Sequence, residues 1–502
     1  MLKKGVLALV GATFAAHAQV PVPTGDPGMR PVDIRTGVTM EATASDNLNL
    51  APDAIKEDGQ AIEISPYVTA TVRTQRSRGD LALRLRGLWY TSGEDDDSRV
   101  SPDLRSNGDL SIQGDSLRLA GSAYVFKASP SPFGIYATDA AAFAIDSELY
   151  KAFAISPYSI GRIGSADYEL RYKAQMIDPG DTSRSTEHQV AAGLSSIRGS
   201  SARLGWSVHG DTSRVDYEDL TDYTRAEAEA LGYLGLTPLL RVGAGVNYSR
   251  VSIVFDADGN NSGFGPVGFF SWQPGPRTAM TGKYTDAYYG SSAELAFAHR
   301  GPRSLSGLQY HRGLTNGNQS GLLYFDPNEI FALPGANAGE TDQLMQGMAD
   351  RRLVSGAGKA LITGQTGANL TYSESLIASF GIVRPRNSAI ATLFSNKQKP
   401  AIASLAAGVA STLEQIGVNL ALDHRLNPSN SLFLIGQAQQ SKSPGSGEES
   451  RLDSLVGGWN TRLTRQLYLT FALRANRQRS TGATPTAQYE ERAVLAAMDY
   501  RF

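Results

Sequence analysis

The chain has 502 residues, 47 of them basic and 49 acidic, with 52 Gly and no Cys. A formal charge of -2 leaves no global basic field for nucleic acid, and zero cysteine excludes a disulfide scaffold, a thiolate metal site and a cysteine nucleophile. No apolar run reaches the roughly 20 residues that a membrane-spanning helix needs, so a helical membrane protein is excluded as well.

The N-terminus carries an export pattern. Lys3 and Lys4 precede an apolar stretch from Gly5 to Ala15, and Ala16-His17-Ala18 sets small residues where a signal peptidase reads. Residues 1–18 are therefore predicted to be a signal peptide, cleaved near Ala18-Gln19, and the chain is expected in the outer membrane of a Gram-negative cell. Residues 19–32, with Pro21, Pro23, Pro27 and Pro31, are predicted to be a periplasmic segment too short for a folded plug.

From residue 33 to 502, segments of ten to fifteen residues alternate apolar and polar side chains and end in Gly, Pro, Asn, Asp or Ser. In Ile62 to Thr74, the residues Ile62, Ile64, Val68, Ala70 and Val72 oppose Glu63, Ser65, Thr69, Thr71 and Arg73. Tyr168, Leu170, Tyr172, Ala174 and Met176 alternate with Asp167, Glu169, Arg171, Lys173 and Gln175. Ala202, Leu204, Trp206 and Val208 alternate with Arg203, Gly205, Ser207 and His209, and Leu240 to Tyr248 repeats the pattern around Arg241. A strand of a soluble sheet averages about 5 to 6 residues. Strands twice that length suit a tilted crossing of a bilayer, where unpaired backbone groups are forbidden and the sheet must close.

Short turns such as Ser77-Arg78-Gly79, Gly164-Ser165, Gly275-Pro276-Arg277 and Pro428-Ser429 alternate with long links such as Ser92 to Asp103 and Ser129 to Ser147. This predicts an all-β, antiparallel up-and-down transmembrane barrel of about 22 strands, with 18–20 as alternatives, short periplasmic turns and longer outer loops. Loop insertions are predicted at about 325–350 and 381–412, one of them a candidate for folding inward as a constriction. In the last strand Val494, Ala496, Met498, Tyr500 and Phe502 share an apolar face. Met498, Tyr500 and the terminal aromatic Phe502 are the expected signal for the barrel assembly machinery.

Strand parity places Arg73, Arg84, Arg86, Asp167, Glu169, Arg171, Lys173, Arg203, Arg241 and Arg474 on the polar face as candidate lumen charges. Arginine dominates that set, and its planar fork suits carboxylates and sugar oxygens. Three chemical motifs fail on inspection. Gly263-Phe264-Gly265-Pro266-Val267-Gly268 has the letters of a dinucleotide fingerprint but opens no helix, and Gly356 to Ala360 lacks the hydroxyl residue of a phosphate loop. Asp256-Ala257-Asp258-Gly259-Asn260 lacks the sixth-position Gly and twelfth-position Glu of a calcium loop. His188, His209, His299, His311 and His424 are expected as rim or lumen residues, with His299 and His311 flanking a periplasmic turn. No catalytic, cofactor or metal site is predicted, and the chain is not expected to be an enzyme.

The stretch Thr39 to Pro52 ending Ser45-Asp46-Asn47-Leu48-Asn49-Leu50-Ala51-Pro52, the segment Ser131-Pro132-Phe133-Gly134, Ile155-Ser156-Pro157-Tyr158 with Ala166 to Tyr172, and Trp272 to Ala298 together resemble the PEP-CTERM-system-associated outer-membrane β-barrel proteins. The resemblance implies an association with exopolysaccharide production and protein sorting in Gram-negative bacteria, without catalytic chemistry. The expected role is a passive conduit or assembly component in exopolysaccharide secretion. Expected partners are outer-membrane lipid, the barrel assembly machinery, exopolysaccharide and its export proteins, and no nucleic acid. A general diffusion porin for small solutes and a plugged structural protein are the alternatives.

Overall fold

The computed structural model describes residues 31–90, 99–114, 116–128, 133, 148–180, 184–196, 203–219, 222–252, 261–316, 322–324, 361–363, 370–400, 412–482 and 488–502. The predicted signal peptide, most of the Pro-rich segment, the 325–350 insertion and the acidic 256–260 motif lie outside the described residues.

The first strands are β1 (Val32–Ser45), β2 (Gly59–Arg73), β3 (Ser77–Tyr90), β4 (Arg99–Gln113), β5 (Leu117–Ala128), β6 (Glu148–Ile163), β7 (Ala166–Asp178) and β8 (Ser185–Ser195). There follow β9 (Leu204–Tyr217), β10 (Tyr223–Thr237), β11 (Leu240–Val251), β12 (Ser262–Gly275), β13 (Thr278–Ala287), β14 (Gly290–Arg300), β15 (Ser304–Asn316), β16 (Leu322–Tyr324) and β17 (Leu361–Thr363). The last are β18 (Leu370–Val383), β19 (Asn387–Pro400), β20 (Leu413–Asn427), β21 (Asn430–Ser443), β22 (Glu448–Arg462), β23 (Leu467–Thr481) and β24 (Tyr489–Arg501). Strands β16 and β17 pair only with each other.

Each of the other 22 strands pairs antiparallel with the next, β15 joining β18, and β24 pairs back onto β1 from Gly37↔Arg501 to Ser45↔Ala493. The sheet is a closed barrel with no free edge. Beyond the ladder, the Phe502 N–H donates to the Thr36 carbonyl at 3.0 Å.

Alternation divides the wall as the sequence implies. Leu170, Trp206, Val208, Val246, Leu455, Leu473 and Val494 are exposed on the outside, while Glu63, Ser65, Ser207, Asn247 and Glu491 are buried on the inside. Trp206, Trp272, Trp459, Phe471, Tyr500 and Phe502 lie outside toward the end with the short turns, and Trp89, Phe264 and Tyr284 toward the other. Phe264 and Trp272 are eight positions apart on β12, which at about 3.3 Å per residue and a tilt near 40° sets the two aromatic levels about 20 Å apart. An apolar band between aromatic girdles around a closed barrel is the architecture of an outer-membrane protein. Met498, Tyr500 and Phe502 point outward as expected, the rings of Tyr500 and Phe502 meeting edge to face at 5.4 Å.

Three boundaries differ from the sequence expectation. The insertion placed at 381–412 is mostly strand: β18 runs to Val383, β19 occupies Asn387–Pro400, and the link to β20 is confined to 401–412. Its reason is a blurred period, because Ile390 and Phe394 are buried on the inner face while Leu393 is exposed outside, so apolar residues fall on both sides. Ser77-Arg78-Gly79 begins β3 rather than forming the turn, which is 74–76. Strand β4 starts at Arg99, drawing Asp103 out of the supposed loop and onto the inner wall opposite Arg84.

The face assignment has a direct test. Leu170→Arg puts a charge into hydrocarbon and is expected to destabilise the barrel by about 2 to 4 kcal/mol, whereas Arg171→Leu on the inner face folds nearly normally. Urea midpoints in lipid vesicles measure both, and equal tolerance would place β7 in the wrong register.

Candidate functional site

The inner wall is shared by all 22 strands of the barrel, and nine of the ten predicted charges lie on it. Arg73 donates to Asp80 at 3.1 Å near the short-turn end. Arg84 stands over the Tyr67 ring at 5.8 Å, and Arg86 bridges Asp103 at 3.3 Å and Glu63 at 3.9 Å. Asp167 accepts from Arg162 at 2.8 Å, Glu169 from Arg171 at 2.9 Å, and Lys173 pairs with Glu187 at 3.0 Å. Arg241 is half-buried near the start of β11. Arg203 is the exception, exposed in the connection one residue before β9, its carbonyl accepting from the Gly235 N–H at 2.8 Å.

Pairing, not excess positive charge, governs these arginines. Arg474 is the extreme case: its side chain is 2% exposed and its fork grips Glu491, 0% exposed, at 2.6 and 3.2 Å. Asn476 and Ser45 also donate to Glu491, at 2.8 and 3.0 Å, so one carboxylate ties β23, β24 and β1 together at the closing seam. A buried carboxylate needs this many donors to offset its lost hydration. A second cluster went unrecognised in the sequence. Asp109 accepts from Arg118 and, at 2.5 Å, from the Tyr158 hydroxyl, while Arg171 lies 4.1 Å over the same Tyr158 ring. The polar phase of β4 (Ser101, Asp103, Arg105, Asn107, Asp109, Ser111) carried the signal, hidden because its first residues read as loop.

Strands β9 to β15 curl more tightly. Lys283 on β13 reaches Glu229 on β10 at 2.6 Å, across two intervening strands, and Tyr289 donates to Glu227 at 2.8 Å. Small inward residues on those strands allow it. A Cβ on Gly245 would fall on the Ala230 carbonyl and one on Gly265 on the Asp286 carbonyl, so both glycines are needed for close backbone approach. Gly265 of the false dinucleotide fingerprint thus has a structural role, which Gly268 does not share. The resulting recess gathers His209, Asp211, Arg225, Glu227, Glu229 and Lys283, with Glu294 and His311 alongside. His311, on β15 across the turn from His299 on β14, sits in the lumen beside Glu294 at 3.9 Å. His299 does lie near the turn, its Nδ1 2.7 Å from the Thr278 hydroxyl, and His188 is outside, stacked on Tyr172. Toward the outer end an apolar cluster of Val215, Tyr217, Tyr223, Val251, Leu314 and Leu370 closes over the recess.

One link folds inward onto the wall, between β1 and β2; the 325–350 insertion, one of the two considered for an inward fold, lies outside the described residues. The β1–β2 connection packs Leu48 against Ala61, Leu88 and Tyr90 on the inner wall, with Leu50 at 0% exposure. Asn47 pins it, exchanging hydrogen bonds with Ala51 at 2.7 and 2.9 Å and donating to the Glu490 carbonyl at 2.9 Å. Leu50 is held at φ 49°, a left-handed conformation unusual for a leucine. The segment is the same Ser45 to Pro52 stretch that carries the family resemblance.

From β18 to β23 the wall changes character. Ser373, Ser375, Thr392, Asn396, Gln398, Gln415, Asn419 and Gln478 all face inward and are buried, a lining mostly of amides and hydroxyls that also buries the charged side chains of Asp423 and Arg474.

No family model and no curated protein matches this sequence. Among solved structures, the chain is similar to the siderophore receptor PirA of Pseudomonas aeruginosa at 11% identity, covering 94% of this chain and 81% of that one with a TM-score of 0.44. It is similar to the FrpB iron transporter of Neisseria meningitidis at 11% identity, 94% and 83% coverage and a TM-score of 0.47. A ferric enterobactin receptor mutant of P. aeruginosa gives 10% identity, 94% and 82% coverage and a TM-score of 0.48. The fold assignment itself stands on the closed ladder of strands.

The tight curl predicts a contrast between two glycines of one strand. Gly265→Ala drives a methyl group into backbone and is expected to cost about 1–3 kcal/mol, while Gly268→Ala, with nothing within 4 Å, changes stability by less than about 0.5 kcal/mol. Heat-modifiable gel mobility and urea titration of the two variants check it.

Proposed function

We propose that this outer-membrane barrel is a passive conduit for an exported polysaccharide, resting with its outer mouth narrowed by the Asp46 to Asp58 link. The observation that carries the reading is the lumen wall, where charges are paired within the wall and a broad sector offers amides and hydroxyls instead. Such a surface hydrogen-bonds a hydrated, hydroxyl-rich chain without holding it by long-range attraction, as passage requires. The resemblance to the PEP-CTERM-associated barrels supports the polysaccharide as cargo, with its export proteins as partners.

Planar-bilayer conductance tests this. The purified barrel is expected to give small steps that an exported polysaccharide blocks, and deletion of residues 48–56 to give larger steps with the barrel still folded. Large, steady, unblockable steps from the intact chain would favour a general porin, and silence from both forms would favour a structural protein.

Selectivity follows from the pairing. Replacing Arg84, Arg86 and Arg171 by Ser removes three cations, leaves Glu63 and Glu169 without their guanidinium neighbours, and leaves Asp103 with Arg105 alone. Reversal potentials are expected to move toward cations, most strongly at low salt where screening is weak. An unchanged potential would mean that ions do not pass this part of the wall.

A further inference from the structure

The loop-side aromatic girdle is broken on the strands beside the closing seam. On β12, Trp272 of the short-turn level and Phe264 of the loop level stand eight positions apart. The same spacing, counted from Trp459 on β22, Phe471 on β23 and Tyr500 on β24, reaches Arg451, Arg479 and Arg492. All three arginines are exposed on the outer face, and so is Arg477, two positions from Arg479. Below them the exposed side chains of Leu455, Leu473 and Val494 continue the apolar band. Where β12 sets an aromatic ring at the edge of the hydrocarbon, these three strands set guanidinium groups.

Register makes the four arginines one cluster. Arg451 and Arg479 stand directly opposite each other, and Arg477 and Arg492 are diagonal neighbours through the pairs Arg477↔Glu490 and Ala475↔Arg492. Successive members therefore lie within about 8 Å of one another at Cβ. The carboxylates nearby do not neutralise the set. Asp453 takes Arg451 at 3.0 Å, Glu490 takes Arg477 at 2.7 Å, and Glu449 is engaged by Lys442 at 3.6 Å. Asp46 accepts the backbone N–H of Arg492 at 2.7 Å. Among the described residues no ion pair takes up the guanidinium group of Arg479 or of Arg492. Like charges placed directly opposite on adjacent strands destabilise a sheet, and at the edge of hydrocarbon hydration relieves them less.

We propose that Arg451, Arg477, Arg479 and Arg492 form a binding site for a phosphate-bearing lipid of the outer leaflet. The guanidinium fork donates two parallel hydrogen bonds to phosphate oxygens, and the anion offsets the repulsion between Arg451 and Arg479. The position of the cluster favours a lipid over a soluble anion. Its floor is the lipid-facing band itself, so acyl chains lie along Leu455, Leu473 and Val494 while the phosphate reaches Arg479 and Arg492. Because β24 carries Arg492 and pairs with β1, the bound lipid sits beside the seam. The site is on the outside of the barrel and stands whether or not the lumen conducts.

The test uses Arg479→Gln and Arg492→Gln, singly and together, since both side chains are exposed and outside the ion pairs of the wall. Arg250→Gln, at an exposed outward arginine on β11, is the control for charge alone. Heat-modifiable mobility checks folding, and the single variants serve if the double variant does not fold. The probes are diphosphoryl lipid A, its dephosphorylated form and inorganic phosphate, read by native mass spectrometry of the full barrel in detergent. The parent and Arg250→Gln are expected to bind diphosphoryl lipid A alike, each single variant at least twofold and the double variant at least fivefold more weakly, with little binding of the dephosphorylated form to any of them. Equal binding by the parent and the Arg479 and Arg492 variants would overturn the site, as would an equal loss in Arg250→Gln or equal binding of the two lipid forms. Displacement of the lipid by inorganic phosphate at equal concentration would make the cluster a site for free anions and overturn the assignment to lipid.

Discussion

In hydrocarbon a peptide N–H or C=O without a partner costs several kcal/mol, and that penalty shapes every other feature of this molecule. It forbids an edge, so β24 must find β1. It forces alternation, because each strand has lipid on one side and the lumen on the other. It also determines where polar residues can be stored: with the exterior closed to them, charges and amides of the membrane-spanning strands are collected inside, where they must be reconciled with one another.

That reconciliation takes a different form in each sector of the wall. Between β2 and β7 the guanidinium groups interleave with carboxylates and tyrosines, as at Asp109, Arg118 and Tyr158. Between β9 and β15 glycines tighten the curvature until side chains from non-adjacent strands meet, as Lys283 and Glu229 do. From β18 onward amides replace most of the charges, until the Arg474–Glu491 pair locks the seam. A wall divided in this way presents different chemistry at different angles around a single lumen.

The barrel, its strand number and the facing of its cleanest strands were legible because alternation is a local property that survives wherever one face meets lipid. Leu170 against Arg171 needs no partner to be read. The strand Asn387–Pro400 was missed because Ile390 and Phe394 occupy inner positions where the period calls for polar residues. Charge pairing was beyond reach, since Arg86 and Asp103 meet only once β3 and β4 are in register, and a single sequence gives no register. The inward-turned link was concealed for a related reason: Leu48 and Leu50 lie in a loop, and nothing local says that a loop turns inward. The lining of Glu227, Glu229 and Arg225, by contrast, alternates openly with Ala226, Ala228 and Ala230 and was available to parity alone.

The seam has a kinetic meaning as well as a structural one. Ser45 and Glu491 are separated by 446 positions in sequence, and joining points so distant in a disordered chain costs about 5 kcal/mol of closure entropy. The contacts that offset this cost all lie at the two ends of the folded sheet, so they become available together and late. Until then both β1 and β24 expose unpaired backbone, the condition under which strands of different molecules join by mistake. Closure is therefore the slow, vulnerable moment in the life of this chain, and the buried hydrogen-bond cluster around Glu491 acts as the clasp that ends it.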